Sequence, residues 1–520
     1  MIKISNRIAI LLFFFIAFIS CKSDKKEEKA IKERPNIILF MVDDMGWQDT
    51  SVPFWKEKTA LNNLYHTPNM ERLAEQGMKF TQAYATAVCS PTRVSLMSGM
   101  NAARHRVTNW TLRRGISEVK PPKGLLMPEW NLNGIQPTDT IERSTHVTTL
   151  PQILKENGYL TIHTGKAHFG ALDTPGENPI NLGFDINIAG HAAGAPGSYY
   201  GVKGFKKDAN KSSIWDVPGL EKYHHKDIFL SEALTQESIL AMDKAIESEK
   251  PFYLYMAHYA VHTPIQGDSR YEQKYIDKGL NSIEAKYASM VEGMDKSLGD
   301  LMDYLDKKNI ADNTIILFMS DNGGLSALAR GGERHTHNKP LSSGKGSAHE
   351  GGIREPMLVK WPGKTKANSV TNDFVIIEDF FPTIIELAGI ENYETVQKVD
   401  GQSFASTLKG KDKNNNNRAL FWHYPNNWGP TGPGIGASST IRKGDWKLIY
   451  YHLDNHFELF NIANDIGETT NLAFKEKEKL KVLAIELSNY LRSVSAQMPI
   501  QTNTNKQVPW PDNQEVISNI

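Results

Sequence analysis

The stretch Asn36-Ile37-Ile38-Leu39-Phe40-Met41-Val42-Asp43-Asp44-Met45-Gly46 decides the fold. Ile37 to Val42 is an unbroken apolar run, which is how a strand buried on both faces of a parallel sheet reads. It stops at a pair of carboxylates. The same order recurs along the chain. Tyr159-Leu160-Thr161-Ile162-His163-Thr164 leads into Gly165-Lys166-Ala167-His168-Phe169-Gly170. Phe252-Tyr253-Leu254-Tyr255-Met256-Ala257 leads into His258-Tyr259-Ala260-Val261-His262-Thr263-Pro264. Thr314-Ile315-Ile316-Leu317-Phe318-Met319 leads into Ser320-Asp321-Asn322-Gly323-Gly324.

Helical patterns lie between these runs. Thr67 to Gly77 has Pro68 near its start and a glycine at its stop. Leu150, Ile153 and Leu154 fall at helical spacing, and Ile283 to Lys307 reads as a long amphipathic helix. Strands alternating with helices predict an α/β fold with a large, mostly parallel sheet flanked by helices. A single polar residue after a strand is usually a turn. Four polar clusters in the same topological place point to a ligand site, because open α/β sheets bind ligands beyond the strands' carboxyl ends.

Composition sets outer limits. In 520 residues, 59 Lys and Arg balance 59 Asp and Glu, so no global basic field marks nucleic acid as a partner. The N-terminus reads as a processing segment. Lys3 and Arg7 precede an apolar run from Ile8 to Ile19, too short for a comfortable membrane span and suited to a secretory leader. Ile19-Ser20-Cys21 resembles a lipobox, which makes Cys21 the site of a lipid anchor and the chain an exported lipoprotein, in the periplasm or at the outer membrane of a Gram-negative bacterium. The expected divisions are a signal peptide at 1–20, a charged tether at 21–34, a catalytic domain at 35–410 and a C-terminal subdomain at 411–520. The last begins with a polar linker, Lys411 to Asn417. Short strands at Ser439–Arg442, Trp446–Tyr451 and Phe457–Asn461 follow, then a helix near Lys475 to Arg492, so a small antiparallel sheet with a packing helix is expected. The tail from Met498 reads as irregular.

The chain has two cysteines, Cys21 and Cys89. With Cys21 in the leader, Cys89 has no disulfide partner. It opens Cys89-Ser90-Pro91-Thr92-Arg93 before a short helix-like run, and a helix start favours anions. A buried core thiol is the plainer reading of such a residue. The Asp43-Asp44 and Asp321-Asn322 pairs are hard oxygen donors, which suit Ca²⁺ or Mg²⁺ better than zinc. Alone, each pair would be a cap or turn; at two strand ends of one sheet they read as a metal site.

These motifs together resemble the type I sulfatases of the alkaline phosphatase superfamily. Cys89 to Arg93 is similar to the family's C-x-P-x-R, and Gly165 to Gly170 to its G-K-x-H-x-G. Ser320 to Gly323 is similar to its S-D-N-G, and Gly344 to Pro356 to its G-K-G-x-x-x-E-G-G-x-R-x-P. The resemblance covers nearly the whole mature chain. It implies an alkaline-phosphatase-like fold and a sulfuric ester hydrolase. It implies that a maturation enzyme converts Cys89 to formylglycine, whose hydrated aldehyde is the nucleophile. Asp43, Asp44, Asp321 and Asn322, with the modified Cys89, would hold one Ca²⁺. Arg93 would steady the nucleophile, Lys166 and His168 would lie beside it, His262 would meet the sulfate, and Lys345 would face the leaving group. One position departs from the pattern: Ala167 replaces the usual aromatic.

Substrate recognition is assigned to aromatic and cationic side chains near these motifs, namely Trp47, Arg104, His105, Trp110, Arg334, His335, His337, His423 and Trp428. Such groups suit a charged sugar. A sulfated polysaccharide or oligosaccharide is the expected substrate, with algal glycans such as ulvan or carrageenan and animal glycosaminoglycans as candidates. A phosphonate or phosphate ester hydrolase of the same superfamily is the nearest competing reading. A catalytically dead glycan-binding lipoprotein is the other.

Overall fold

The computed structural model describes residues 34–327, 329–411 and 415–518. The leader, Cys21 and the tether up to residue 33 lie outside the described residues, as do positions 412–414 of the expected linker.

The large sheet is built from β1 (Asn36–Val42), β2 (Met78–Tyr84), β3 (Leu160–Gly165), β4 (Ile186–Ile188), β5 (Phe252–Ala257), β6 (Thr314–Ser320), β7 (Arg354–Lys360) and β8 (Ser369–Thr371), with β9 (Val375–Ile376) also paired to β2. Their order is β8-β2-β7-β6-β1-β5-β3-β4. Every pairing in it is parallel except those of β7, which runs against both β2 and β6. The mostly parallel α/β architecture expected from the sequence is therefore present.

All of β1 is buried, and its side chains divide by alternation. Ile37, Leu39 and Met41 join the core on one face, with Val94, Leu96 and Met97 of the helix Cys89–Ser98. Ile38, Phe40 and Val42 join the core on the other, with residues of the helices Leu230–Glu247 and Ser282–Lys307. Burial on both faces is why β1 shows no hydrophobic alternation in sequence.

Register fixes the site. Val42 is opposite Ser320, Met41 is opposite Ala257, and Ala257 is opposite Gly165. The strands end in line, so the polar residues that follow them emerge along one edge. Because β7 runs the other way, it starts at that same edge with Arg354, and the segment leading into it arrives there too.

The second sheet pairs Leu420–Tyr424, Ser438–Lys443, Trp446–Tyr451 and Phe457–Asn461, antiparallel throughout. The helix Lys477–Ser493 packs its Leu480, Leu483, Leu487 and Leu491 into this sheet's core. The tail departs from expectation. Ile500–Gln501 pairs with Lys506–Gln507 and with Leu125–Leu126, and a helix spans Gln514–Ser518. Two-residue strands carry no periodicity, and the partner at Leu125–Leu126 is distant in sequence, so nothing local announces them.

A buried ionic cluster joins the two sheets. Lys447 Nζ lies 3.1 Å from Glu350 Oε1 and 2.7 Å from Glu468 Oε1, and all three side chains are inaccessible to solvent. Glu350 also takes Arg354 at 3.2 Å and the Tyr84 hydroxyl at 3.0 Å. Removing the cation from such a cluster leaves unbalanced buried charge, at a cost of roughly 3–5 kcal/mol. Lys447→Met should therefore lower the melting temperature markedly, and adding Glu468→Gln should restore part of the loss. A Lys447→Met protein that melts like wild type would show that the cluster contributes little.

Candidate active site

The loop after β1 is held by the loop after β6. Asp44 takes a left-handed backbone with φ of 62°, uncommon for a residue with a side chain. Its amide donates to Asp321 Oδ1 at 3.2 Å, and the Met45 amide donates to Ser320 Oγ at 3.0 Å. Asn322 Nδ2 donates to Asp44 Oδ1 at 2.8 Å. Asp43, Asp44, Asp321 and Asn322 thus meet at the sheet edge, all fully buried.

This edge concentrates negative charge away from water. Burial, then the neighbouring Asp321, holds the Asp43 carboxyl well above the usual carboxylate range. For Asp44 burial acts in the same direction, but the Lys345 ammonium, with His262 and Lys166, outweighs it and brings the carboxyl down to about 2. Three buried oxygens have no hydrogen-bond partner: Asp43 Oδ1, Asp44 Oδ2 and Asn322 Oδ1. Buried polar atoms are nearly always satisfied, so unpaired oxygens on adjacent residues fit a cation. Ligand atoms of Asp43, Asp44 and His262 lie within 4.8 Å of one another. Asp321 spends Oδ2 on Arg93 and Oδ1 on the Asp44 amide, yet an ionised carboxylate keeps further lone pairs for a metal. The donors are predominantly carboxylate and amide oxygen, the chemistry of a hard divalent cation.

Cys89 is the first residue of the helix Cys89–Ser98, entered from an extended Val88 and closed by Gly99 with φ of 69°. Every residue of this helix is buried. Arg93, one turn on, sends Nη2 to Asp321 Oδ2 at 2.7 Å and Nη1 to the Lys166 carbonyl at 2.9 Å. It therefore ties the Cys89 helix to two strand ends. Burial pushes the Cys89 thiol pKa up, despite the nearby Lys166 and Lys345.

Two lysines face the two carboxylates. Lys166 Nζ is 2.7 Å from Asp43 Oδ2, and Lys345 Nζ is 2.5 Å from Asp44 Oδ1. His262 Nε2 is 3.6 Å from Asp44 Oδ2, with its Nδ1 2.8 Å from the Thr263 carbonyl. His168 also has a left-handed backbone, with φ of 56°. Its Nε2 is 2.8 Å from the Thr111 carbonyl. A carbonyl can only accept, so Nε2 carries the proton and Nδ1, which has no partner, keeps a free lone pair. Burial, reinforced by Lys166 and Arg93, holds His168 well below the usual histidine pKa, so its ring is neutral.

Above this constellation opens a cleft of about 770 Å³. Cys89, His168, His262 and Lys345 line it, while Arg93 and Lys166 lie beneath. Of the residues expected to bind sugar, Trp110 and Trp428 line it and the others do not. Trp47 is 1% exposed and packs under the Arg354 guanidinium, 4.5 Å from the ring centroid. Arg104 is committed to Asp400 at 2.8 Å, and His105 is buried against Ser95 at 3.0 Å. His337 bonds the Gly331 carbonyl at 2.6 Å, and His335 lies 3.3 Å from Ser343 Oγ. His423 is buried between Ser439 and the Gln497 carbonyl, both at 2.9 Å. Arg334 is exposed but outside the cleft. Proximity in sequence to a motif does not place a side chain in the cleft: Arg104, His105, His335, His337 and His423 bond the protein's own polar groups, and Trp47 packs in the interior. Beside Trp110 and Trp428, the cleft is lined by Trp215, Glu118, Lys120 and Lys207, among others. Trp428 comes from the segment between the first two strands of the small sheet. Its ring lies 5.3 Å from Lys345 Nζ.

The residues 35–390 match the family model for sulfatases. The chain belongs to the sulfatase family. Residues 344–497 also match the model for the C-terminal region of N-sulphoglucosamine sulphohydrolase. A sulfatase of Formosa agariphila is 32% identical, covering 94% of this chain and 94% of its own. Human N-acetylgalactosamine-6-sulfatase is 28% identical over 91% of this chain and 88% of its own. Among solved structures, that of Ps i-CgsB in complex with k-i-k-neocarrahexaose superposes with a TM-score of 0.69 at 28% identity, covering 94% of this chain and 96% of the other. This protein is accordingly a sulfatase with the alkaline-phosphatase-like architecture.

Gly346 makes the approach of Trp428 to this sulfatase's Lys345 possible. Its φ is +86°, and a Cβ there would lie 2.2 Å from Trp428 Cδ1. Gly346→Ala should displace the indole and loosen Lys345. A misplacement on the order of 1 Å can cost about a hundredfold in rate, so kcat/KM should fall steeply, by far more than the modest drop in melting temperature that an alanine at positive φ brings. Unchanged kcat/KM would show that Trp428 does not hold Lys345 in place.

Proposed function

We propose that this sulfatase hydrolyses a sulfate ester on a sulfated carbohydrate, with Cys89 carried as formylglycine and Ca²⁺ held by Asp43, Asp44, Asp321 and Asn322. The observation that carries this reading is the placement of Cys89. It sits at a helix start on the floor of a large cleft, beside a buried carboxylate set and under His168, His262 and Lys345. A thiol whose pKa is pushed up is a poor thiolate nucleophile. The encoded side chain is therefore poorly suited to attack as it stands, which favours conversion by a formylglycine-generating enzyme. When present, the two groups would supply a hydrated-aldehyde nucleophile and a Lewis acid for the sulfate oxygens.

The chain's own residues account for the rest. Lys345 presents N–H groups to an oxyanion in the cleft, and bonds to a charged acceptor are the stronger kind. Burial holds the His262 pKa down at about 3 and its Nδ1 proton goes to the Thr263 carbonyl, so the ring is neutral and Nε2 is an acceptor. Burial works against the Lys345 charge, but the adjacent Asp44 outweighs it and raises the pKa, so Lys345 is an ammonium at neutral pH. The neutral His168, with its free Nδ1, is suited to accept a hydroxyl proton from the group at position 89. Arg93 does not line the cleft; it acts through Asp321 and the Lys166 backbone, and is a positioning residue. A sugar alkoxide is strongly basic and needs a proton on departure, for which the Lys345 ammonium in the cleft lining is the donor. Tryptophan faces around the opening suit the apolar face of a pyranose, and the solved relative carrying a neocarrahexaose supports a carbohydrate as substrate.

Cys89→Ala tests the reading. Purified native protein should release inorganic sulfate from a panel of sulfated oligosaccharides, and its peptide containing position 89 should have the mass of an aldehyde. Cys89→Ala should keep its melting temperature and lose turnover. A Cys89→Ala protein as active as wild type would overturn the assignment, as would an unmodified thiol in fully active protein.

A further inference from the structure

The cleft holds more positive charge than cleavage of one ester accounts for. Its lining includes three lysines and one carboxylate. Lys345 is already placed against Asp44. The carboxylate, Glu118, is held by Arg113 through both oxygens at 2.8 Å. That leaves Lys120 and Lys207. Both are exposed at the cleft, and neither ammonium pairs with a carboxylate among the described residues.

The segments that carry them are firmly built. Next to Lys207, Asp216 accepts from the Lys207 amide at 3.2 Å and from the Ser213 amide at 3.0 Å, so its carboxylate serves backbone donors. Gly197 packs so closely that a Cβ there would lie 2.4 Å from the Lys207 nitrogen, and its amide donates to the Trp215 carbonyl at 2.5 Å. Gln266 Oε1 accepts from the Tyr199 amide at 2.7 Å and the Ser198 hydroxyl at 3.0 Å. This joins the Lys207 wall to the segment that carries His262. Lys120 follows Val119, whose carbonyl accepts from Ser117 Oγ at 3.0 Å. Half-buried Trp110 and Trp215 line the same cleft.

Resting on the carbohydrate reading of this cleft, we propose that Lys120 and Lys207 form a second anion site. The favoured substrate is then an oligosaccharide that carries, beyond the ester cleaved at Cys89, another sulfate or carboxylate. Unpaired ammonium groups beside aromatic faces give such a substituent charge-assisted contacts, and the uncompensated charge steers polyanions toward the opening.

Binding calorimetry on the Cys89→Ala protein tests this without turnover. Three probes on one oligosaccharide backbone are compared: one sulfate, two sulfates, and one sulfate with a uronate carboxylate. At least one dianionic probe should bind about tenfold more tightly than the monosulfated one, equivalent to about 1.4 kcal/mol. The gap should shrink as salt is raised. Which dianion shows it identifies the second group. Adding Lys120→Ala and Lys207→Ala should close the gap, with the fold checked by melting temperature. No gap, a gap that survives both substitutions, or an equal loss on all probes would overturn the second anion site while leaving the sulfatase reading intact. Failure of every sulfated probe to bind would overturn the carbohydrate reading and the second site with it.

Discussion

Three carboxylates, Asp43, Asp44 and Asp321, are buried together at one edge of the large sheet, and the architecture around them is arranged to hold that charge. Burying an ionised carboxylate costs several kcal/mol unless partners replace the lost water. Here the partners come from three different places in the chain. Arg93 arrives from the helix after Cys89, Lys166 from the end of β3, and Lys345 from the segment before β7. None of these contacts forms locally. Each depends on strands that end in register, above all Val42 opposite Ser320. The sheet is thus the device that brings opposite charges together, and the three unpaired oxygens left over are its remaining demand for a cation.

Catalytic geometry follows from the same constraint. Arg93 cannot satisfy Asp321 without fixing the first turn of its helix, which fixes Cys89 at the cleft floor. Lys345 meets Asp44 on one side and the Trp428 ring on the other, so the carboxylate edge also sets the position of a cleft-lining cation. The small sheet contributes through Trp428, and the Lys447 cluster ties that sheet to the start of β7. A surface feature of the cleft therefore rests on buried ionic contacts well away from it.

Much of this was legible in sequence. The parallel strands were visible as apolar runs because burial on both faces removes alternation, and the polar clusters after them marked the ligand edge. The family motifs named the residues at that edge. What could not be read was tertiary. β2, β7, Leu420–Tyr424 and the helix Leu230–Glu247 lack a comparably plain signal. Trp47, His105 and His423 look like exposed recognition residues in sequence, yet they are buried and engaged by the protein itself. Arg330, in the insert between two motifs, is likewise interior: it pairs with Asp49 at 3.1 Å, and Tyr287 bonds both Asp49 and the Asp44 carbonyl. Lys207 and Trp215 lie far from every motif, and only folding brings them into one cleft with His262.

The buried carboxylate edge is suited to one hard divalent cation. Calorimetric titration of Ca²⁺ into metal-stripped protein tests it most directly, with Asp43→Asn/Asp44→Asn protein as the control. The native chain should bind one equivalent of Ca²⁺ and melt at a higher temperature when it does, and the double variant should show neither effect. Absence of Ca²⁺ binding in correctly folded native protein, or stoichiometric zinc in its place, would contradict it.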